Sequence, residues 1–265
     1  MNGANLVVMR RLASAIQAAP FKMLLYKGPL LQQIAYGNLF ARPSSDIDVL
    51  VAPADYDKAA GLLQDLGFKL NPMTDTIWWR RFLAEQQFRE GPDGLAIDLH
   101  HRVQQPGCPL PRKPGRFLAE AAVYEVAGQG MSSFSLRHTI LVAAISLVKA
   151  LHHREPAGRY VSDVEALTSN LTDQQVSDLW QEARLQGLAH TLELAMRSVS
   201  AVFGRPEATR AVLPEISDTD LRQMLIDPDK VDTWVRRRRL LQSLCDRPID
   251  IVPCWMLMAA GEAAR

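Results

Sequence analysis

Hydrophobic and polar positions follow two different patterns along the chain, with a change near residue 130. Before it, helical and strand patterns alternate, with helices predicted at 6–18, from Pro29 and at 54–66, and strands at 21–26, 46–51, 78–88, 95–101 and 123–126. Beyond Ser135 the pattern predicts helices at 136–152, 160–168, 173–186, 188–203, 218–225 and 232–244. We therefore predict a small domain of helices and strands at 1–130, followed by a helical domain at 131–265.

The strand predicted at 46–51 carries two aspartates two residues apart. Because side chains alternate along a strand, Asp46 and Asp48 project from one face, while Ile47 and Val49 project from the other and can enter a core. The two carboxylates repel each other, by roughly 1 kcal/mol in water and more at lower dielectric. A cation offsets this repulsion, and carboxylates on a rigid strand suit Mg²⁺. The alternative is a half-buried strand with a solvated acidic face.

The segment before this strand offers a phosphate site. The strand at 21–26 runs through Lys27 and Gly28 into a helix that begins at Pro29. Glycine lets the backbone approach a ligand closely, and proline suits the first helical position. The helix N-terminus attracts phosphate through its free N–H groups and its dipole, and Lys27 adds a positive charge beside it. The alternative is an ordinary strand-to-helix turn with a surface lysine.

Arg42 and Ser44 lie on the loop that leads into the acidic strand. A guanidinium can bind a phosphate through two hydrogen bonds, and a serine hydroxyl can donate one. Arg42 could instead form an ion pair that holds Asp46 or Asp48 in place. Both interpretations connect Arg42 to the acidic strand.

The strand predicted at 95–101 places Asp98 and His100 on one face. A third carboxylate on a neighbouring strand is what a two-metal site needs, because it can activate the attacking hydroxyl while the first two carboxylates bridge the ions. His100 could orient a phosphate or transfer a proton, or it could be a structural histidine. These residue types together indicate phosphoryl or nucleotidyl chemistry.

The combination of segments resembles a known family. The similarity spans about residues 24 to 101 and rests on the segments Lys27-Gly28 to Leu31, Tyr36, Arg42-Pro43-Ser44, Asp46 to Val51 and Asp98-Leu99-His100. These segments resemble the conserved blocks of the bacterial "uncharacterised nucleotidyltransferase" family, within the DNA polymerase β-like nucleotidyltransferase superfamily. Three positions depart from the family pattern: Lys27-Gly28 replaces the superfamily's glycine–serine pair, Ser45 stands where glycine is common, and His101 replaces the family's tryptophan.

The resemblance implies an α+β fold, in which a small mixed-sheet domain of the polymerase β-like kind precedes the helical domain. It implies that Asp46, Asp48 and Asp98 are catalytic residues that hold two Mg²⁺ ions, for which Mn²⁺ can substitute. Asp98 would serve the ion nearest the acceptor and help to deprotonate its hydroxyl. The nucleotide-binding residues would be Lys27, Gly28, Arg42, Ser44 and His100.

The implied reaction moves a nucleoside monophosphate from an NTP such as ATP to a hydroxyl acceptor and releases pyrophosphate. The acceptor could be a small molecule, a peptide, a protein or an RNA end, and an intermediate of peptide natural-product biosynthesis is one candidate. One alternative is a non-catalytic nucleotide- or peptide-binding module of the same fold, which the missing glycine–serine pair favours. Another is a toxin that modifies tRNA.

Composition favours an ordinary globular enzyme. Hydrophobic residues make up 48% of the chain and charged residues 22%. The net charge of +1 gives no strong nucleic-acid signal, which argues against the tRNA-modifying toxin. We see neither a signal segment nor an apolar stretch that could span a bilayer, so we expect a cytoplasmic protein without a membrane partner.

Overall fold

A computed structural model describes residues 2–91, 94–103, 108–204, 218–227, 240, 244–252, 255–256 and 259. The chain divides into two compact units. The described parts of the first unit lie within residues 1–105 and 114–136, and those of the second within 106–113 and 137–259.

The first unit contains a five-stranded mixed sheet. Its strands are β1 (Met23–Tyr26), β2 (Asp46–Val51), β3 (Lys69–Leu70), β4 (Glu85–Arg89) and β5 (Ala96–His100). They are arranged in the order β1-β2-β5-β4-β3, with β2 and β5 parallel and the other neighbours antiparallel. The unit also contains the helices α1 (Asn2–Ala18), α2 (Gly28–Tyr36), α3 (Tyr56–Asp65) and α4 (Gly115–Ala119) and the hairpin strands β6 (Ala121–Val126) and β7 (Gln129–Phe134). This mixed α+β architecture confirms the predicted fold class.

One face of the sheet packs into the hydrophobic core of this unit. Ile47 and Val49 of β2 are at most 2% exposed. They belong to a buried cluster that also contains Leu12 of α1, Leu63 of α3 and Leu99 of β5. The alternation predicted for β2 therefore holds, and its polar positions lie on the opposite face of the sheet.

The prediction of a strand over 78–88 is wrong in its first half. Trp78–Leu83 form a turn of π-helix, and the strand β4 begins only at Glu85. The guanidinium of Arg102 donates hydrogen bonds to the carbonyl oxygens of Arg81 and Phe82 at the end of this turn. Ala84 then leaves the helical path with φ 61°. These interactions outweigh the strand preference of the aromatic residues in this stretch.

Strand β7 is absent from the sequence prediction, because its residues Gln129 to Ser133 include few of the β-branched and aromatic types. The turn that precedes it explains its position. Ala127 and Gly128 have φ 50° and 78°. Positive φ at both central residues is characteristic of the type I′ turn that closes a two-residue hairpin.

The second unit is helical where the structure describes it. Its helices are α5 (Leu136–His153), α6 (Gly158–Thr168), α7 (Asp173–Gln186), α8 (Ala189–Phe203) and α9 (Asp218–Ile226). Each boundary lies within two residues of its predicted position. The end signals of α7 are clear, because Thr172 and Gln175 form a capping box and Gly187 ends the helix with φ 71°. Most of the helix predicted at 232–244 lies outside the described residues.

Within the described residues, no helix combines the length and apolar character that crossing a membrane requires.

Candidate active site

Asp46, Asp48 and Asp98 lie on the polar face of two neighbouring parallel strands. The register of β2 and β5 pairs Asp48 directly with Asp98, and it pairs Asp46 with Ala96. Because Asp46 and Asp48 are two residues apart on one strand, all three carboxylates are on the same side of the sheet. The structure thus brings together the three acidic residues that the sequence singles out.

Asp48 is not the repelled carboxylate that the sequence suggests. It is 4% exposed, and its Oδ1 accepts a hydrogen bond from Lys27 Nζ at 2.7 Å. The same oxygen lies 3.1 Å from His100 Nε2. Burial raises the pKa of Asp48, but the charge of Lys27 and the hydrogen bond from His100 outweigh this effect and hold the pKa well below its usual range. Asp48 is therefore ionised and has a cation as its partner.

The two flanking carboxylates are in a different electrostatic state. Burial, followed by the negative charge of Asp48, raises the pKa of Asp46 and raises the pKa of Asp98 to about 6. Asp98 Oδ1 accepts a hydrogen bond from Gln87 Nε2 at 3.2 Å, which limits its rotation. The repulsion expected from the sequence is thus concentrated on Asp46 and Asp98.

The turn between β1 and α2 brings the start of the helix close to the acidic strand. Lys27 and Gly28 have φ 58° and 53°, in the left-handed region that favours glycine. A Cβ atom on Gly28 would lie 3.2 Å from both the carbonyl oxygen of Asp46 and Ser44 Oγ. Glycine is therefore required here for its φ and for the close approach, while Pro29 occupies the first turn of α2.

Ser44 and Arg42 belong to a loop that is fixed from two sides. The carbonyl oxygen of Ser44 accepts a hydrogen bond from Asn5 Nδ2 at 2.9 Å, and its hydroxyl donates to the carbonyl oxygen of Asp46 at 3.3 Å. The backbone N–H of Arg42 donates to Gln32 Oε1 at 2.8 Å. Helices α1 and α2 thus hold this loop beside the start of β2.

His100 lies between two carboxylates. It is 7% exposed, its Nε2 faces Asp48, and its Nδ1 lies 3.3 Å from Glu85 Oε2. Both ring nitrogens are therefore engaged with protein side chains. This arrangement orients Asp48, and it adds Glu85 to the site.

The sequence analysis missed Glu85 and Gln87 of β4. Being two residues apart, they lie on the same face of the strand. Glu85 contacts His100, and Gln87 donates a hydrogen bond to Asp98. The sequence pattern that could have revealed them is the alternation of Glu85 and Gln87 with Gln86 and Phe88, which are buried in the structure. It was obscured because the predicted strand began at the aromatic residues near 78.

Tyr26 is the third residue that sequence analysis missed. It pairs with Asp48 across β1 and β2 and is 3% exposed. The centre of its ring lies 5.7 Å from that of His100 and 5.1 Å from that of Phe134. Its hydroxyl has no hydrogen-bond partner in the part of the chain that the structure describes. Burying a hydroxyl without a hydrogen-bond partner costs about 1–3 kcal/mol, which makes the Tyr26 hydroxyl a candidate for contact with a ligand.

The donor set fits a divalent cation such as Mg²⁺. Asp46, Asp48 and Asp98 offer carboxylate oxygens on rigid neighbouring strands, and hard cations prefer oxygen ligands. Burial, followed by the charge of Asp48, raises the pKa of Asp46 and Asp98, and a cation beside them would offset both effects by stabilising the ionised carboxylates. The unpartnered hydroxyl of Tyr26 on the same face is a further polar group for a ligand.

Comparison with protein families identifies a match over most of the chain. Residues 2–204 match the model of a family described as "Uncharacterised nucleotidyltransferase". This range contains Lys27, Gly28 and the three aspartates of the site. A search of curated proteins found no match.

Several solved structures are distantly similar to this chain. One is the antibiotic-resistance factor ANT(2'')-Ia in solution, with 12% identity, 69% of this chain and 93% of that chain covered, and a TM-score of 0.47. Another is the lincosamide antibiotic adenylyltransferase LnuA with bound lincomycin, with 12% identity, coverage of 61% and 94%, and a TM-score of 0.40. A nucleotidyltransferase-like protein from Paracoccidioides brasiliensis has 13% identity, coverage of 70% and 90%, and a TM-score of 0.41.

Proposed function

The chain belongs to the uncharacterised nucleotidyltransferase family, and on this basis we propose that it is a metal-dependent enzyme that transfers a nucleoside monophosphate from an NTP to a hydroxyl acceptor. The observation that carries the proposal is the grouping of Asp46, Asp48 and Asp98 on one sheet face beside the start of α2. All of these residues belong to the first compact unit, to which we assign catalysis.

The proposed nucleotide site lies at the N-terminus of α2. The first N–H groups of a helix have no intrahelical partner, and the helix dipole favours negative charge there. The close approach that Gly28 permits puts these groups next to Ser44 and Asp46. The triphosphate would bind to this backbone, with Lys27, Ser44 and Arg42 as side-chain partners.

Asp46, Asp48 and Asp98 would hold two Mg²⁺ ions, which Mn²⁺ can replace, and the bound metal would supply Lewis acidity toward the phosphate and the acceptor hydroxyl. Asp98 then takes the proton of the attacking hydroxyl, because its carboxylate lies beside the metal site on the strand next to Asp48. The acceptor oxygen forms a bond to the α-phosphorus as the bond to pyrophosphate breaks. Gln87 keeps the carboxylate of Asp98 oriented throughout.

A non-catalytic binding module is the second candidate, and one observation favours it. Lys27 Nζ already occupies Asp48 Oδ1 at 2.7 Å. In a module without turnover, this ammonium would permanently replace the metal ion. The carboxylates of Asp46 and Asp98 argue for the enzyme, because without a bound cation their negative charges would only destabilise the folded protein.

The proposal is tested with NTPs labelled at either the α- or the γ-phosphorus, incubated with the protein, Mg²⁺ and a cell extract. We expect the α-label to appear on an acceptor, which could be a small molecule, a peptide, a protein or an RNA end, and the γ-label to leave as pyrophosphate. Asp46→Asn should abolish the transfer. Asp57→Asn, which removes an 81% exposed carboxylate elsewhere on the same unit, should not.

Transfer of the γ-label would contradict nucleotidyl transfer and indicate a phosphotransferase. Binding of NTP without transfer of either label, in wild-type protein and in both variants, would favour the binding module.

A further inference from the structure

Lys27 is held in an unfavourable backbone conformation, with its ammonium against a catalytic aspartate. Its φ of 58° is disfavoured for a residue that carries a Cβ. The ammonium lies 2.7 Å from Asp48 Oδ1, and the two side chains are 29% and 6% exposed. Strain of this kind persists where surrounding structure imposes it, and it is frequent at functional sites.

The ammonium and a divalent ion compete for the same carboxylate. Asp48 Oδ1 already receives Lys27 Nζ and lies 3.1 Å from His100 Nε2. A divalent ion on Asp48 would repel an ammonium a few ångströms away, because like charges at that separation interact strongly in a buried site. Binding of the ion is therefore unfavourable while the ammonium stays on Asp48, and it becomes favourable when Lys27 gives up this contact.

Lys27 has a second destination close by. Its backbone carbonyl accepts a hydrogen bond from the N–H of Leu31 at 3.0 Å, so its backbone belongs to the first turn of α2. Its side chain has a flexible four-carbon stem, and its Nζ lies 5.0 Å from the centre of the Tyr26 ring. Because Lys27 directly precedes α2, a side chain of this length can reach an anion at the N-terminus of the helix once it leaves Asp48.

We propose that Lys27 is an exchangeable internal counterion, which neutralises Asp48 in the nucleotide-free protein and moves to the triphosphate when metal and NTP bind. This inference rests on the proposed function. It predicts that the metal alone binds weakly, because it must displace an ammonium that has no new partner. With NTP present the displaced ammonium gains the triphosphate, so metal and nucleotide increase each other's affinity by the same factor.

Two affinities test the exchange. The first is that of Mn²⁺ for the nucleotide-free protein, by calorimetry, and the second is that of a non-hydrolysable α,β-methylene NTP in saturating Mn²⁺. We expect Lys27→Met, which keeps most of the stem and removes the charge, to bind Mn²⁺ alone on the order of 10-fold more tightly than the wild type. It should bind the NTP analogue on the order of 10-fold more weakly.

The matched control is Lys58→Met. Lys58 also forms a 2.7 Å ion pair, with Asp55, but it lies outside the site, and its side chain is 64% exposed. Its loss should leave both affinities unchanged, which separates the exchange from a general effect of charge. If Lys27→Met does not fold, Lys27→Gln provides the same test, because it retains a hydrogen-bond donor without the charge.

Unchanged or weaker Mn²⁺ binding by the Lys27 variants would overturn the exchange, even if the wild type binds metal and nucleotide cooperatively. Tighter Mn²⁺ binding with unchanged affinity for the analogue would overturn the move to the triphosphate. If the wild type binds neither Mn²⁺ nor the analogue, the proposed function itself fails, and the exchange fails with it.

Discussion

Asp48→Asn and Asp98→Asn should change the stability of the metal-free protein in opposite directions, although the two residues are direct neighbours in the sheet. The reason is that their carboxylates have opposite electrostatic surroundings. Asp48 has Lys27 and His100 as partners, whereas Asp98 has a donor in Gln87 and the negative charge of Asp48 beside it.

For Asp48, the substitution removes one partner of a largely buried ion pair. Such a loss typically costs about 3–5 kcal/mol. Because the side chain of Lys27 is 29% exposed, solvent reduces this value, and we expect a destabilisation of about 2–4 kcal/mol. The pKa of Asp48 is lowered, so the stability it contributes is fully present above its unfolded pKa. This contribution is lost as the pH falls through the lower, folded value.

For Asp98, the substitution removes a charge that the folded protein disfavours. A pKa raised from 3.8 to about 6 corresponds to at most about 3 kcal/mol. The sign follows from linkage, because the protonated form favours folding below the unfolded pKa. This advantage is lost as the pH rises through the folded pKa. Asp98→Asn should therefore stabilise the protein above pH 6 and have little effect near pH 4.

The assay is urea unfolding in EDTA, followed by circular dichroism, at neutral pH and near pH 4. Asp57→Asn is the control, and since that side chain is 81% exposed, its effect should stay within about 0.5 kcal/mol. Destabilisation by both site variants would refute the reasoning, because Asp98 would then be a structural acceptor. Stabilisation by both would show that Lys27 does not pair with Asp48 in solution.

Three further changes have defined outcomes. Gly28→Ala should destabilise the protein by about 1–2 kcal/mol and weaken NTP binding, because φ is +53° and the added Cβ would lie 3.2 Å from two oxygens. Urea unfolding and calorimetry measure the two effects, and unchanged stability and affinity would mean that the turn relaxes to accommodate the methyl group. Tyr26→Phe should leave metal-free stability unchanged or raise it, while nucleotide transfer falls; a loss above about 1 kcal/mol would mean that the hydroxyl has a protein partner. Thr172→Ala should cost about 1 kcal/mol in thermal unfolding through loss of the capping box, and no change would indicate that the start of α7 is frayed.

Local patterns in the sequence were sufficient for the helices and for the two faces of β2. Alternation placed Ile47 and Val49 in the core and the aspartates opposite, and the capping box and Gly187 explain why both ends of α7 coincide with the predicted ones. The parallel pairing of β2 with β5 is different, because it joins residues about fifty positions apart. No periodicity contains that information, and the family resemblance was needed to bring Asp98 to the site.

The electrostatics of the site could not be predicted from residue types alone. The sequence indicated Lys27 as a residue beside a phosphate site, whereas the structure shows a positive φ at Lys27 and its ammonium on Asp48. Glu85 was missed because an aromatic run displaced the predicted start of β4. Both outcomes depend on backbone geometry that tertiary contacts impose.

The central claim is that Asp98 acts in the transition state of nucleotide transfer. The most direct test measures NTP affinity by calorimetry and label transfer from an α-labelled NTP, for the wild type and Asp98→Asn. An interaction made mainly in the transition state affects the rate and leaves ground-state binding almost unchanged. We therefore predict an NTP affinity within a few-fold of the wild type and a transfer rate lower by several orders of magnitude. Equal, modest losses in both quantities, or a transfer rate that does not change, would contradict the catalytic role of Asp98.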